Sequence, residues 1–307
     1  MMNLQQLKIF VLTAQLQKLK LVAERLNIKQ PTVTFHLQRF EEECGVPLFK
    51  PSALRTLKLT KAGESLYPLA MQITMLSEEI ESTIAGFNEK QRGTLRIGST
   101  YTPATFLLPE QLVSFKSMHE EVTLSLEVKP ATTIIEKIKN YELDIGIISY
   151  GTIPGKHFIS HMIFKDDLKL LLHPNNPLAV KMNIEIDDLI KETFIMHEQG
   201  STSRLLIDHW AQEHDITLSI VMEVSATETM KEAVKKNMGV AIVSERCSLR
   251  EVKQGELVYK EIPYFQQDRF IHLIHQKDRV ITPLMQDFID TTIEYFRTCH
   301  NDRSPNS

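Results

Sequence analysis

The clearest hydrophobic pattern in the chain lies at residues 30–41, in the stretch QPTVTFHLQRFE. Val33, Leu37 and Phe40 stand at i, i+4 and i+7, so a helix places all three on one face. Gln30 can cap this helix, and Pro31 suits its first position, where a missing N–H costs nothing. The opposite face then carries hydrogen-bonding groups, one cation and one bare aromatic ring: Pro31, Thr32, Phe35, Gln38 and Arg39.

A shorter pattern just upstream predicts a partner for this helix. Residues 21–26 (LVAERL) read as a short helix and residues 27–29 as a tight turn. Helix, three-residue turn and helix is the arrangement that places a second helix in the major groove of DNA. A surface helix of an all-α domain would show the same amphipathic pattern, so that alternative stays open.

The predicted outward face has Phe35 near its centre, and an exposed aromatic ring needs a partner. The apolar feature that DNA offers in the major groove is the thymine methyl group. We therefore predict that Phe35 reads a thymine, with Gln30 and Thr32 bonding neighbouring base edges. The alternative is that Phe35 packs under a neighbouring hairpin and never meets DNA.

The amino-terminal helices differ in their caps. Asn3 and Gln6 predict a capping box for a first helix ending near Gln15. The second helix begins near residues 18–21 without a good cap, and Lys18 and Lys20 lie at the positive end of its dipole. A bound phosphate would relieve that conflict. Two solvated lysines on a poorly capped helix explain the pattern equally well.

A basic hairpin follows the helices. Residues 45–49 (GVPLF) predict a turn with apolar anchors, and residues 50–59 predict a two-stranded wing. Arg55 and Lys58 on this wing could reach the DNA backbone or the minor groove. A basic hairpin without a ligand is the weaker alternative, because the wing adjoins the helix pair.

One long helical pattern then runs over residues 60–88, capped by Thr60 and with a kink expected at Pro68. Its apolar positions alternate three and four apart, which is the seam of a coiled coil. The functional interpretation is pairing with a second subunit, and the alternative is packing against the chain's own body. The seam positions are Leu66, Leu69, Ile73, Leu76, Ile80, Thr83 and Phe87.

The remaining chain alternates strands with helices, which predicts an α/β fold with doubly wound parallel sheets. Strands are expected at 94–98, 123–128, 144–148, 169–172, 194–196, 220–224, 240–243, 257–262 and 270–275. Residues 157–164 are expected to be a crossover into a second lobe. Helices are expected at 104–118, 133–141, 202–213, 227–236 and 283–297.

Charge is placed unevenly along the 307 residues. Residues 1–61 carry ten Lys/Arg against four Glu, whereas the whole chain has a net charge of −4. A basic module on an acidic body suggests a polyanion partner at one end, although a chance fluctuation in a solvated face would look the same. Three scattered cysteines without CxxC spacing, and no apolar run long enough for a membrane span, predict reduced thiols and a cytoplasmic location.

Catalytic signals are weak. The histidines show no HExxH spacing, and GTIPGK at residues 151–156 is one residue too short for a phosphate-binding P-loop. No Ser/His/Asp arrangement sits in a nucleophile elbow. We therefore expect neither an enzyme nor a cofactor or metal.

Hydroxyl-rich turns follow several predicted strands, at the edge where open α/β sheets bind ligands. Hydroxyls and free N–H groups at helix starts suit a small carboxylate, sulfate or phosphate. Ser and Thr are also the preferred helix caps, so capping is the alternative for each single residue. Arg204 could equally be a solvated cation or bridge an acidic neighbour. The candidate effector residues are Ser99, Thr100, Tyr101, Thr102, Thr132, Thr133, Gly200, Ser201, Thr202, Arg204 and Thr227.

Residues 1–63 resemble the winged helix-turn-helix of LysR-type transcriptional regulators. The departures from that pattern are Lys18 where the family usually has Ser, Val22 for the first of two alanines, and Lys50 for Arg. The residues that carry the resemblance are Leu7, Phe10, Ala23, Leu26, Gln30, Pro31, Val33, Thr34, Glu41, Gly45, Leu48, Phe49, Leu59, Thr60, Ala62 and Gly63.

The resemblance implies three domains: a winged helix-turn-helix (1–61), a dimerising linker helix (62–90) and a two-lobed effector domain (91–303). That domain is like type II periplasmic binding proteins, with lobe I at 91–162 and 268–303 and lobe II at 163–267. The expected partners are double-stranded promoter DNA, a small anionic metabolite, further copies in a homodimer or homotetramer, and RNA polymerase if the protein is an activator. The candidate DNA contacts are Lys18, Lys20, Lys29, Gln30, Pro31, Thr32, Thr34, Phe35, Gln38, Arg39, Arg55 and Lys58.

Two function classes follow. The first is a sequence-specific DNA-binding regulator whose promoter binding responds to a small metabolite in the cleft between two lobes. The second is a solute-binding protein or enzyme on the same two-lobed scaffold, which would call for an export signal or a catalytic constellation. A DNA-architectural protein without effector response is a third, weaker option.

Overall fold

The computed structural model describes residues 3–51, 56–86 and 93–301. Its contacts divide the chain into two compact units. The first unit holds the chain up to Thr94 with two short later segments, and the second holds the rest.

The first unit is a winged helix-turn-helix followed by a long helix. Its elements are α1 (Leu4–Leu16), α2 (Leu19–Leu26), α3 (Gln30–Cys44), β1 (Phe49–Pro51), β2 (Leu57–Leu59) and α4 (Lys61–Gly86). The predicted capping box of α1 is confirmed, since the Asn3 and Gln6 side chains each accept the other's backbone N–H at 2.9 Å. Thr60 caps α4 as predicted, because its hydroxyl accepts the Gly63 N–H at 3.2 Å. One detail of α3 was wrong: its N-cap is Lys29, so Gln30 already belongs to the helix.

The core of the first unit is built on aromatic rings. Phe10 lies 5.7 Å from Phe40 and 5.5 Å from Phe49 between ring centroids. The predicted inward face of α3 is confirmed, because Val33, Leu37 and Phe40 are all buried. Gly63 lets α4 approach the wing, since a Cβ atom there would stand 2.3 Å from the Leu48 carbonyl oxygen.

The second unit contains two five-stranded sheets with helices against them. The first sheet has the order β4-β3-β5-β12-β6, and its strands come from both ends of the unit. The strands of this sheet and the helices of the same lobe are β3 (Gly93–Ser99), α5 (Tyr101–Phe106), α6 (Leu108–Met118), β4 (Val122–Val128), α7 (Ala131–Lys139), β5 (Ile145–Tyr150), β6 (Phe158–Lys165), β12 (Phe270–Gln276) and α12 (Pro283–Asn301).

Two predictions for this sheet were wrong. The single helix expected at 104–118 is two helices, because Pro109 has no N–H for the helical ladder and ends α5 before it. Residues 157–164 are not a crossover: β6 is an edge strand that pairs with β12 as far as Lys165. The first sheet therefore extends past the lobe boundary expected at residue 162.

The second sheet has the order β11-β7-β10-β8-β9. Its elements are β7 (Leu168–Leu172), α8 (Ile186–Leu189), β8 (Thr193–His197), α9 (Thr202–Glu213), β9 (Ser219–Val224), α10 (Thr227–Lys235), β10 (Val240–Ser244), α11 (Leu249–Lys253) and β11 (Val258–Lys260). The expected purely parallel sheets are in fact mixed, because β7 runs antiparallel to β10 and β12 runs antiparallel to β5. The two-lobed α/β architecture is confirmed, and the chain passes between the sheets after β6 and again before β12.

Candidate DNA interface and effector cleft

The outward face of α3 is open to solvent. Lys29, Gln30, Pro31, Phe35, Gln38 and Arg39 are exposed, and Thr32 and Thr34 are half-buried. Phe35 keeps 58% of its surface exposed, so the first unit does not bury it. The Thr34 hydroxyl donates to the Gln30 carbonyl at 3.2 Å, and Arg39 Nε lies 3.3 Å from Glu43 Oε1. The Phe35 ring meets the neighbouring His36 ring edge-on at 5.6 Å between centroids and is otherwise a large exposed apolar group on a polar face.

The start of α2 is uncapped, as predicted. Lys18 is its N-cap residue and makes no side-chain capping hydrogen bond. Lys20 is exposed and has only a loose contact with Glu24, at 3.9 Å. The positive end of the α2 dipole therefore carries two exposed cations with little compensation.

The wing contains a cation that the sequence analysis did not select. Lys50 on β1 pairs directly with Lys58 on β2, and both side chains are exposed. Like charges directly opposite each other destabilise a strand pair, so an anion beside them would stabilise it. Arg55 lies outside the described residues. Only the register of β1 against β2 reveals the pairing, so composition and spacing could not have found it.

The predicted seam of α4 is exposed, while a different face of this helix packs into the core. Leu69 and Ile80 keep 58% and 60% of their surface exposed. Ile73 and Leu76 are exposed too, whereas Leu66 packs against the core of the first unit. The buried face consists of Tyr67, Ala70, Met71 and Thr74. Thr83 and Phe87, the last two seam positions, have side chains outside those described. From Leu69 to Ile80 the seam is thus available to a partner helix.

In the second unit, the hydroxyls at and just after the end of β3 already form hydrogen bonds or contacts within the fold. Ser99 is buried and donates to the Ile147 carbonyl at 2.8 Å. Thr100 is the N-cap residue of α5 but does not cap it; its hydroxyl accepts the Ser149 N–H at 2.8 Å. Thr102 is buried, with its hydroxyl 3.7 Å from the Cys247 thiol. Tyr101 is half-buried and stacks edge-on to Phe106 at 6.3 Å. Of this group, Thr100 and Tyr101 remain partly accessible.

The other candidates divide between capping and open positions. Ser201 caps α9, accepting the Arg204 N–H at 3.2 Å, and Gly200 before it has a φ of +84°. Thr202 is half-buried in the first turn of α9, and Thr227 is buried in the first turn of α10. Thr132 is exposed and Thr133 half-buried, both in the first turn of α7. The structure thus favours the capping interpretation for Ser201.

Of the alternatives that the sequence left open for Arg204, the structure shows ion pairs with acidic neighbours. Its buried guanidinium donates to Asp208 at 2.8 and 2.9 Å and to Glu223 at 2.8 Å. It also donates to the His197 carbonyl at 3.1 Å. Two carboxylates therefore neutralise this cation before any ligand arrives.

A charged pair that the sequence patterns do not predict lies near these hydroxyls. Arg269 Nη1 lies 3.2 Å from Asp166 Oδ2, and both side chains are buried. Arg269 Nη2 donates to the Thr102 hydroxyl at 3.3 Å. Asp166 follows β6 directly and Arg269 directly precedes β12, so the signal was their position at the two passages between the sheets.

Burial controls the neighbouring titratable groups. Burial, with the positive charge of Arg269, lowers the pKa of His197 to about 4, so this imidazole is neutral at pH 7. Burial raises the pKa of the Cys247 thiol to about 12, which keeps it protonated and unreactive. Within the described parts of the chain, no group of three His, Cys, Asp or Glu residues could hold a metal ion. No helix among the described residues is long and apolar enough to cross a membrane.

Comparison with known proteins agrees with this architecture. Residues 4–64 match the bacterial regulatory helix-turn-helix of the lysR family, and residues 88–297 match the LysR substrate binding domain. The chain is 26% identical to the HTH-type transcriptional activator CmpR of Synechocystis, over 94% of each protein. A full-length OxyR variant from Pseudomonas aeruginosa superimposes with a TM-score of 0.76 at 21% identity, covering 97% of this chain and 95% of that one. The Synechocystis CcmR regulatory domain, solved in complex with 2-PG, gives a TM-score of 0.61 at 25% identity and covers 67% of this chain and 98% of that one.

Proposed function

Because this chain belongs to the LysR family of DNA-binding transcriptional regulators, we propose that the exposed face of α3 and the wing form its promoter interface. The observation that carries the proposal is the outward face of α3, where polar groups surround an exposed Phe35. A recognition helix needs side chains that reach base edges from one face. Lys18, Lys20, Lys50 and Lys58 then supply phosphate contacts, which position the helix without reading sequence.

Phe35 reads a thymine methyl group in each half-site, and Gln30 and Thr32 bond the neighbouring base edges. A selection from randomised duplexes tests this with the full-length protein. Phe35→Arg is expected to move the preference toward guanine at one position, because guanine presents two acceptors in the major groove. Tyr264→Arg is the matched control, since Tyr264 is an exposed aromatic residue of the second unit, 64% exposed. If Phe35→Arg and wild type enrich the same base at every position, Phe35 does not read DNA.

The α4 seam joins two copies of the chain. Leu69, Ile73 and Ile80 keep exposed apolar surface at coiled-coil spacing, and a second α4 would bury it. Two copies present two recognition helices, which suits an operator with paired half-sites. A homodimer, or a homotetramer built from two dimers, is therefore the proposed assembly.

A small anionic metabolite, bound among the hydroxyls at the strand ends of the second unit, modulates DNA binding. The support is the set of threonines that stay at least partly exposed, Thr100, Thr132 and Thr202, together with the CcmR regulatory domain that was solved with 2-PG. As a regulator, the protein acts in the cytoplasm, where promoter DNA is, and contacts RNA polymerase if it activates. It needs no catalytic group, since its output is a change in DNA occupancy.

A thermal-shift screen against a metabolite panel, followed by operator-binding assays, separates this function from its alternatives. A regulator binds operator DNA with an affinity that a stabilising metabolite changes. A solute-binding protein would be stabilised by a metabolite but would select no DNA sequence. An architectural protein would bind DNA with no metabolite response.

A further inference from the structure

Asp166 and Arg269 connect the two passages of the chain between the sheets of the second unit. Asp166 lies between β6 and β7, and Arg269 lies just before β12. Besides their ion pair, the Asp166 N–H donates to the Arg269 carbonyl at 2.8 Å. Any change in the angle between the two sheets must pass through these two segments.

Asp166 has its acceptor sites filled from both sheets. The Ser149 hydroxyl, on β5, donates to its Oδ2 at 3.4 Å. The Ser244 hydroxyl, at the end of β10, donates to its Oδ1 at 2.5 Å. With the Arg269 cation at 3.2 Å, this carboxylate is both neutralised and hydrogen-bonded.

Arg269, by contrast, is short of acceptors. A guanidinium has five N–H donors and stays charged at all accessible pH values. Only Nη2 makes a hydrogen bond, to Thr102; among the described residues no acceptor completes one with Nε or Nη1. Nη1 contacts Asp166 at 3.2 Å as an ion pair without hydrogen-bond alignment. Buried donors without acceptors are costly, so this guanidinium favours an additional anionic acceptor.

Besides Asp166, the titratable neighbours His197 and Cys247 offer Arg269 no anionic acceptor. His197 is a neutral imidazole and Cys247 a protonated thiol at pH 7. Arg204, another buried cation of the second unit, is neutralised by Asp208 and Glu223. Arg269, which lies beside the candidate effector residue Thr102, therefore uses less of its hydrogen-bonding capacity than Arg204 does.

We propose that Arg269 is the anchor for the anionic group of the effector, a carboxylate or a phosphate, and that Asp166 is the internal carboxylate with which this group competes. This inference rests on the proposed metabolite response. Arginine binds planar or tetrahedral oxyanions through paired N–H donors. Because both members of the pair lie in the passages between the sheets, an anion that draws Arg269 from Asp166 changes the connection between the lobes. Anion binding and lobe geometry are thereby coupled.

The probe is inorganic phosphate, titrated into the full-length protein at constant ionic strength with chloride as the balancing anion. Unfolding is followed by fluorescence of the single tryptophan, Trp210, and the apparent affinity comes from the rise in melting temperature with phosphate. Wild type is expected to be stabilised by phosphate beyond the chloride reference. Arg269→Gln is expected to weaken the apparent affinity about tenfold or more, because charge-assisted hydrogen bonds are lost. Asp166→Asn is expected to strengthen it by about tenfold, because the competing charge is removed.

The two variants are expected to change phosphate affinity in opposite directions, which distinguishes an anion-binding Arg269 from an ion pair with a purely structural role. If the ion pair has only a structural role, both variants should lower the melting temperature and neither should strengthen phosphate binding. Arg269→Lys keeps the charge without the paired donors, so it gives an intermediate affinity and covers the case in which Arg269→Gln does not fold. Arg279→Gln is the control, because the half-buried Arg279 forms an ion pair with another buried aspartate of the second unit, Asp144. It should leave the phosphate response unchanged.

Several results overturn the anchor. They are a wild type that phosphate does not stabilise, an Arg269→Gln variant with wild-type phosphate affinity, or an Asp166→Asn variant that binds phosphate more weakly. If wild type binds operator DNA and responds to a neutral metabolite but not to phosphate, the anchor fails and the regulatory function stands. If wild type selects no operator sequence, the regulatory function fails, and the phosphate titration still decides the role of Arg269.

Discussion

The two units of this protein treat charge in opposite ways. In the first unit, Lys50 and Lys58 face each other across the wing, and Lys18 and Lys20 sit at the unfavourable end of a helix dipole. In the second unit, buried Arg204 and Arg269 each have carboxylate partners at 3.2 Å or less. The first arrangement costs the free protein stability and is relieved by a polyanion. In the second arrangement the charge is neutralised within the fold, so a ligand has to compete with those carboxylates.

The difference follows from the size of the ligand. A DNA duplex brings many phosphates, so exposed cations gain affinity by releasing counterions without being desolvated beforehand. A metabolite brings one or two charges into a site that excludes water, where an unpaired cation would be costly. Under the proposed function, exposed cations with weak or no partners belong to the DNA surface, and a paired cation with spare donors, Arg269, belongs to the effector site.

The largest expected effect comes from disrupting the proposed contact between the α4 helices of two subunits. Ile73→Glu places a charge in the α4 seam and should prevent two copies from pairing. Operator affinity is expected to fall by a factor of about 100 or more. In a dimer, binding of the first recognition helix holds the second close to its half-site, and a monomer loses this gain in affinity. Sedimentation and operator binding measure the two consequences. Val113→Glu, at an apolar site that is 72% exposed on α6, is the control. A sedimenting dimer of Ile73→Glu would show that this residue does not join the subunits.

The next largest effect concerns the buried His197 of the second unit and is measured as the pH dependence of the free energy of unfolding. The pKa of His197 is about 4 in the folded chain and 6.5 in its ordinary range, so the unfolded chain takes up the proton first as pH falls. Its contribution to stability is complete above pH 6.5 and is lost as pH falls through 4. From this group alone, the free energy of unfolding should drop by about 2 kcal/mol between pH 7 and pH 5.

Chemical unfolding at several pH values measures this slope. His197→Asn should flatten it, whereas His209→Asn, at a histidine with a 58% exposed side chain, should not. An unchanged slope in His197→Asn would mean that other groups cause the acid sensitivity.

A third test removes a paired cation. Arg204→Met leaves Asp208 and Glu223 without their partner, but their side chains are 51% and 44% exposed and can turn to water. The expected loss of unfolding free energy is therefore about 1–2 kcal/mol, below that of a fully buried pair. Denaturant unfolding checks the value, with Lys58→Met as the comparison that should cost no stability. Equal losses in the two variants would contradict the contrast between the units.

The smallest effect removes an unpaired cation. Lys58→Gln should flatten the slope of log affinity against log salt by about one, since one phosphate contact is lost. Stability should not fall, because the repulsion from Lys50 is relieved. Lys253→Gln, at an exposed lysine of the second unit, should keep the wild-type slope. A wild-type slope in Lys58→Gln would exclude that lysine from the interface.

Local patterns in the sequence were enough to predict the first unit and many element positions. The i, i+4, i+7 spacing of Val33, Leu37 and Phe40 gave the inward face of α3, and the caps at Asn3 and Thr60 gave helix starts. Helix α9 has the bounds that its sequence predicts, Thr202–Glu213. These features depend on contacts within a few residues, and such contacts repeat with the period of the element. The break before α6 is also local, because Pro109 lacks the N–H that a continuous helix would need.

The tertiary structure alone decided which charges meet. Arg204 reaches Glu223 because β8 and β9 lie side by side, and Lys50 opposes Lys58 because of the wing's register. Asp166 and Arg269 come together only because the chain passes twice between the sheets. Periodicity shows which face of an element is apolar but not which element lies against it. The function of a charged residue depends on that neighbour, because the partner determines whether the charge is free for DNA, neutralised in the fold or available to a ligand.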